Sequence, residues 1–159
     1  MTEWFFFPGV TPISANTYYG HSKQGHRYVT QKGKKFQKQI QDMITEEMKA
    51  RKVLGEVTVM YAFGYGDARA RDVDNGVKHF QDCIKGNLFE DDYKVQMVEA
   101  WKIVNCKTPF IAVMVIPVMR IDPEAFMEYC DEVYKERNPE AIERMREICQ
   151  SKDKKRKRA

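Results

Sequence analysis

The chain has 159 residues with 27 Lys and Arg, 23 Asp and Glu, 43% hydrophobic residues and 12% aromatic ones, enough apolar material for one core without metal or disulfide staples. Its longest apolar run, Phe110 to Met119, is interrupted by Pro117 and is far shorter than the ~20 residues of a membrane-spanning helix. Disordered, collagenous and membrane-spanning classes are excluded, and an N-terminus without a basic region before an apolar stretch points to the cytoplasm.

Glu3 to Phe7 is aromatic-rich and stops at Pro8-Gly9, which reads as a strand and a turn. Residues 9 to 29 read as an exposed loop that mixes tyrosines with cations, a composition suited to stacking on bases. From Gln31 to Lys52 the spacing of Phe36, Ile40, Met43, Ile44 and Met48 predicts one helix, with Thr30 as its cap. Val57 to Tyr65 alternates with period two and predicts a strand. Asp74 to Lys85 predicts a helix that buries Val77, Phe80 and Ile84 and stops at Gly86. Tyr93 to Cys106 and Phe110 to Met119 read as two strands of a hairpin, and Asp122 to Lys135 and Asn138 to Ile148 as two helices. The expected fold is α+β: a single domain with a mixed sheet and packed helices over 1–119, a helical extension over 120–150, and a basic tail over 151–159.

Charge is unevenly placed. Lys23, Arg27, Lys32, Lys34, Lys35 and Lys38 fall between residues 21 and 40 with no acid among them, the footprint of a nucleic-acid surface. Four cysteines, about twenty residues apart and without a CxxC pair, read as reduced thiols. The three histidines form no zinc-ligand pattern, and the Asp-x-Asp of residues 72–74 lacks the later ligands of a calcium loop.

The chemistry concentrates in Arg69-Ala-Arg71-Asp72-Val-Asp74-Asn75-Gly-Val-Lys78, followed by Glu90-Asp91-Asp92. Asp72 and Asp74 flank a helix start. A helix of about twelve residues is ~18 Å long, and the extended chain from Gly86 to Asp92 spans about as much. The second acidic pair therefore returns to the first within the chain, or meets its counterpart across a dimer. Converging carboxylates suit Mg²⁺, held by one or two of them plus substrate phosphate. Lys78 lies one helical turn beyond Asp74, placed to steady phosphate charge in a transition state.

In these residues the chain resembles the RusA family of Holliday junction resolvases, from about Pro8 to Met119. The specific part is Arg71-Asp72-Val73-Asp74-Asn75-x-x-Lys78-x-x-x-Asp82 with Asp91-Asp92 downstream; Asn16-Thr-Tyr-Tyr19 and Tyr28-Val-Thr30-x-x-Gly33 match more weakly. The resemblance implies a Mg²⁺-dependent homodimer, with Mn²⁺ as a substitute and no small-molecule cofactor, that cuts four-way DNA junctions by paired symmetric nicks. It makes Asp72, Asp74 and Asp92 the metal-binding carboxylates, Asp91 an ancillary one, and Lys78 the catalytic lysine. Asn75, Arg69 and Arg71 match the family's residues beside the site and join the DNA-binding set. The extension from about Arg120 departs from the family. The alternatives are a non-catalytic nucleic-acid-binding protein whose acids cap helices, and a nuclease for flaps or forks.

Overall fold

In the computed structural model, which describes residues 1–120, 122–134 and 139–151, Val57, Val59, Tyr61 and Phe63 form the middle of the molecule. They lie on β4 (Val57–Gly64), which is buried almost throughout. A strand apolar on both faces is most stable where neighbours flank both edges. β4 accordingly sits between β6 (Phe110–Pro117), antiparallel to it, and β5 (Val95–Ile103), parallel to it; β1 (Glu3–Pro8) completes the order β1-β6-β4-β5. The class is α+β with a mixed sheet.

The mixture arises differently from the sequence expectation. β5 and β6 form no hairpin, because β4 lies between them. The connection wraps the end of β4: the Tyr65 amide donates to the Ile103 carbonyl (2.8 Å), and the Cys106 amide donates to the Tyr65 carbonyl (2.8 Å). Central burial of β4 outweighs pairing of sequence neighbours.

Two further differences concern local signals. The helix expected over 31–52 breaks into α2 (Gln31–Met43) and α3 (Glu46–Ala50). Thr45 caps α3 by accepting from the Met48 amide (3.2 Å), and Glu46 and Glu47 fill its first turn. That is a start signal inside a continuous apolar stripe. The expected loop over 9–29 contains α1 (Ala15–Tyr18) and a hairpin of β2 (Tyr19–His21) with β3 (Arg27–Val29). Thr30 does cap α2, accepting from the Gly33 amide (3.0 Å) and donating to the Thr17 carbonyl (2.6 Å). Gly33 is required there, since a Cβ would stand 2.5 Å from the Tyr18 carbonyl oxygen. The basic turn of α2 is thereby fastened to α1.

The helix after β4 starts as a 3-10 turn (Asp74–Gly76) and continues as α4 (Val77–Ile84). Phe80 and Ile84 are fully buried, and Phe80 meets Phe7, Tyr61 and Phe63 edge-on. Gly86 ends the helix in the left-handed region (φ 80°). Leu88 and Phe89 are fully buried just beyond and anchor the chain before it reaches Asp91.

By its internal contacts the chain divides into Met1–Met119 and Arg120–Ala159. In the second unit α5 (Pro123–Tyr134) and α6 (Pro139–Ser151) pack through Met127, Cys130 and Ile142, with Arg146 paired to Asp131 and Glu143. Asn138, expected to cap α6, and the basic residues from Lys152 lie outside the described residues. Cys83, Cys106 and Cys130 are free thiols. Among the described residues no helix is long and apolar enough to cross a membrane.

Candidate active site

α4 turns one face to the core and the other to a cluster of charges. Lys78, Asp82 and Lys85 recur at helical spacing on that outer face, so their heads converge. The Lys78 ammonium donates to Asp82 (2.7 Å) and to Asp92 (2.5 Å). Lys85 stands 3.1 Å from Asp92 and 3.3 Å from Asp82. Two lysines and two carboxylates thus alternate in one closed group. The chain after Gly86 thus brings Asp92 back to Lys78 on the outer face of α4.

Asp92 is also gripped from the core. The buried Tyr61 hydroxyl donates to Gln81 Oε1 (3.0 Å), and Gln81 Nε2 donates to Asp92 Oδ1 (3.1 Å). Burial pushes the Asp92 carboxyl up, but hydrogen bonds from Lys78, Gln81 and Lys85 outweigh it and lower its pKa to about 2. Burial opposes the charge on Lys78, yet its bonds to Asp82 and Asp92 raise its pKa. The bond to Asp92 likewise raises that of Lys85. Lys78, Lys85 and Asp92 are thus held ionised by their neighbours.

Asp72 and Asp74 are treated differently. Both are exposed, and neither caps the helix they precede: Val73 holds the cap position of the 3-10 turn and Gly76 that of α4, without a side-chain cap bond at either. Asp72 accepts one hydrogen bond, from the Asn75 carboxamide (3.1 Å). Neither carboxylate has a salt bridge among the described residues. Asp91 receives the Asp92 amide (2.6 Å) and caps the turn Asp92–Lys94.

The structure therefore brings Lys78 and Asp92 together, and sets Asn75 against Asp72. It does not gather Asp72, Asp74 and Asp92 around one point: among the described residues no three Asp, Glu, His or Cys side chains form a group able to hold a metal. In kind, the donors fit a hard divalent cation. Asp72 and Asp74 offer exposed carboxylate oxygens without a salt bridge among the described residues, and Mg²⁺ is usually held by only one or two carboxylates, with water and substrate phosphate completing its shell.

The basic residues divide by partner. Lys38 is spent on Asp42 one turn along α2 (2.7 Å). Lys32, Lys34 and Lys35 have no acidic partner among the described residues, and Lys32 and Lys35 border a groove with Thr11, Thr17 and Phe36. Lys23 lies in the turn of the β2–β3 hairpin. Arg27 covers the Tyr19 ring (3.5 Å), and the Tyr19 hydroxyl donates to Asp82 (3.2 Å), which joins the hairpin to the charge cluster. Arg69 and Arg71 both bind Asp67 (2.7 and 2.5 Å). Their bonds hold its carboxyl well below the usual range.

Sequence reasoning assigned no role to Asp67, Gln81, Asp82 or Lys85. Asp82 and Lys85 had a signal, their i+4 and i+7 spacing from Lys78. Gln81 had none, since its role depends on reaching both β4 and the loop after α4.

Among curated proteins, none matches the chain. A profile of the family described as endodeoxyribonuclease RusA matches residues 8–116, a span that runs from the end of β1 into β6 and holds the charge cluster and both exposed carboxylates, so the chain belongs to the RusA family of endodeoxyribonucleases.

Proposed function

We propose that this protein is a structure-selective endonuclease that resolves four-way DNA junctions by paired nicks, hydrolysing phosphodiester bonds with Mg²⁺. The observation that carries the reading is a contrast along the start of α4: Lys78 is fixed between Asp82 and Asp92, while Asp72 and Asp74 in the segment leading into that helix are exposed, cap nothing and have no salt bridge among the described residues. Asp72 and Asp74 would hold the metal with Asp92 as the third carboxylate, and Mn²⁺ would fit the same donors. Bound there, the metal supplies Lewis-acid stabilisation of the phosphoryl oxygens and an activated water.

The protein's own groups do the rest. Lys78 presents a permanent positive charge beside the phosphate and stabilises negative charge as it develops. Gln81 and Tyr61 keep Asp92 in place. Lys23, Arg27, Lys32, Lys34 and Lys35 hold the flanking backbone by counterion release, while Arg69, Arg71 and Asn75 border the reacting strand.

Paired nicks require two such sites, hence a homodimer. The apolar faces of α4 and β4 are buried in the monomer's own core. The other face of the sheet supports a two-fold contact instead. There Trp4 and Phe6 on β1 and Met97 and Trp101 on β5 are each about half exposed, across strands in register with Met114, Ala112, Thr58 and Ala62 respectively. Sedimentation of the purified protein tests the dimer, which an exclusively monomeric species would rule out. The activity is tested on a synthetic four-way junction with linear duplex as control. Mg²⁺-dependent, symmetric cutting of the junction alone is expected; equal cutting of linear duplex would overturn the structural selectivity.

A further inference from the structure

A cleft of about 740 Å³ opens beside Asp72, between the segment from Pro12 to Thr17 and the chain from Tyr65 to Asn75. Its volume falls in the range that takes a small organic ligand, about 300–1,000 Å³. Most of its polar side chains are already committed. The Ser14 and Thr17 hydroxyls bond to each other (3.0 Å), Asn75 donates to Asp72, Lys102 donates to the Arg71 carbonyl (2.7 Å), and Arg71 is held by Asp67. Asn16 differs, since its side chain is exposed and makes no hydrogen bond within the described residues. A free carboxamide offers one donor edge and one acceptor edge, the complement of a nucleobase edge. An anion would meet Asp72 in the same cleft. The remaining lining is apolar or planar: Pro12, Ile13, Ala70, and the Arg71 guanidinium lying 4.4 Å over the Tyr65 ring. Flat guanidinium planes are surfaces on which unstacked bases lie.

We propose that this cleft receives one unpaired nucleobase of the strand being cut, next to the phosphate at Asp72, and that Asn16 reads its edge. The proposal rests on the nuclease reading above and adds a specificity determinant to it. At the crossover of a junction the stack is already interrupted, so extruding one base there costs less than in continuous duplex. Cleavage is then selective for the base at one position flanking the nick, beyond its selectivity for branched structure.

The test maps nicks in four-way junctions whose crossover can migrate through randomised sequence. Wild type should prefer one base at one flanking position, and Asn16→Ala should weaken that preference about 10-fold or more. The quantity is a ratio between sites in the same pool, so a general loss of rate cancels. Asn16→Asp, which removes the donor, should change the favoured base instead of erasing the preference. In a second measurement without metal, 2-aminopurine at the flanking position should brighten when wild type binds, and should stay dark with Ala70→Phe, which fills the cleft. A profile identical in wild type and Asn16→Ala, or a wild type without flanking preference, would overturn the base cleft while leaving the nuclease intact. Failure of wild type to cut any junction would remove both.

Discussion

The two halves of the carboxylate site are built on opposite principles. Around Asp92 every charge has an internal partner: Lys78, Lys85 and Gln81 surround it, and Asp82 shares both lysines. Around Asp72 and Asp74 the described residues supply one hydrogen bond, from the uncharged Asn75 carboxamide, and both side chains are exposed. A carboxylate balanced by protein is fixed in position before substrate arrives, whereas an exposed, unbalanced one keeps its attraction for an incoming cation. In the proposed metal site the fixed half would supply geometry and the open half affinity.

Removing charge from the open half is the severest way to break this division. Asp74→Asn should reduce junction cleavage by about 10³-fold or more, because a metal ion's charge stabilisation is worth several kcal/mol. Metal-free junction binding should hold or improve, since a negative charge facing phosphate has gone. Gel-shift and single-turnover cleavage on one preparation check both, and undiminished cutting would remove Asp74 from the site.

On the fixed side, Lys78→Ala should cost about 10²-fold in kcat with a small change in KM, as for an interaction made in the transition state. A rise in KM at constant kcat would instead make Lys78 a binding residue. Asp82 and Asp92 would then face each other across Lys85 alone, so the same variant should also lose some stability.

α4 sharpens the comparison from its inner side. Next to Lys78, His79 is buried and stacked on Tyr18 (4.9 Å); burial outweighs the nearby Ile13 backbone and Asp82 and lowers its pKa from 6.5 to about 4. The unfolded chain therefore binds a proton that the folded one refuses between these values. The stability this contributes is fully present above about pH 6.5 and is lost as pH falls through 4. His79→Phe keeps the stack, so urea melts at a series of pH values should show a flatter slope in that window for the variant, and an unchanged slope would relocate the titration.

How far the sequence exposed all this follows from the range over which each signal acts. Thr30, the period-two run of β4, Gly86 and the 72–78 motif are local patterns, and each stands where its pattern places it. The hairpin between β5 and β6 was misread because sequence adjacency says nothing about which strand is most buried, and only the burial of β4 between them decides the order. The pairing of Asp92 with Lys78 was within reach as a length argument. The Tyr61–Gln81–Asp92 relay was not, because its three members come from a strand, a helix and a loop whose meeting is a product of the fold.

The gentlest perturbation converts the fixed half toward the open one. Lys85 touches both Asp92 and Asp82 at distances longer than those of Lys78 and is itself substantially exposed, so its pairs resemble surface ion pairs worth about 0–1 kcal/mol each. Lys85→Met keeps the stem that lies along the protein and deletes the ammonium. Asp92 then keeps Lys78 and Gln81 but sheds one competing cation, and its residual negative charge grows. Mn²⁺ should bind the variant up to about 5-fold more tightly in the absence of DNA, read by the loss of the free-ion electron paramagnetic resonance signal, with little change in melting temperature. Unaltered Mn²⁺ affinity would mean that Asp92 lies outside the field of the bound metal and that Asp72 and Asp74 hold it without a third carboxylate. Tighter binding would join the two halves into a single site in which Lys85 sets the cation concentration at which the open carboxylates fill.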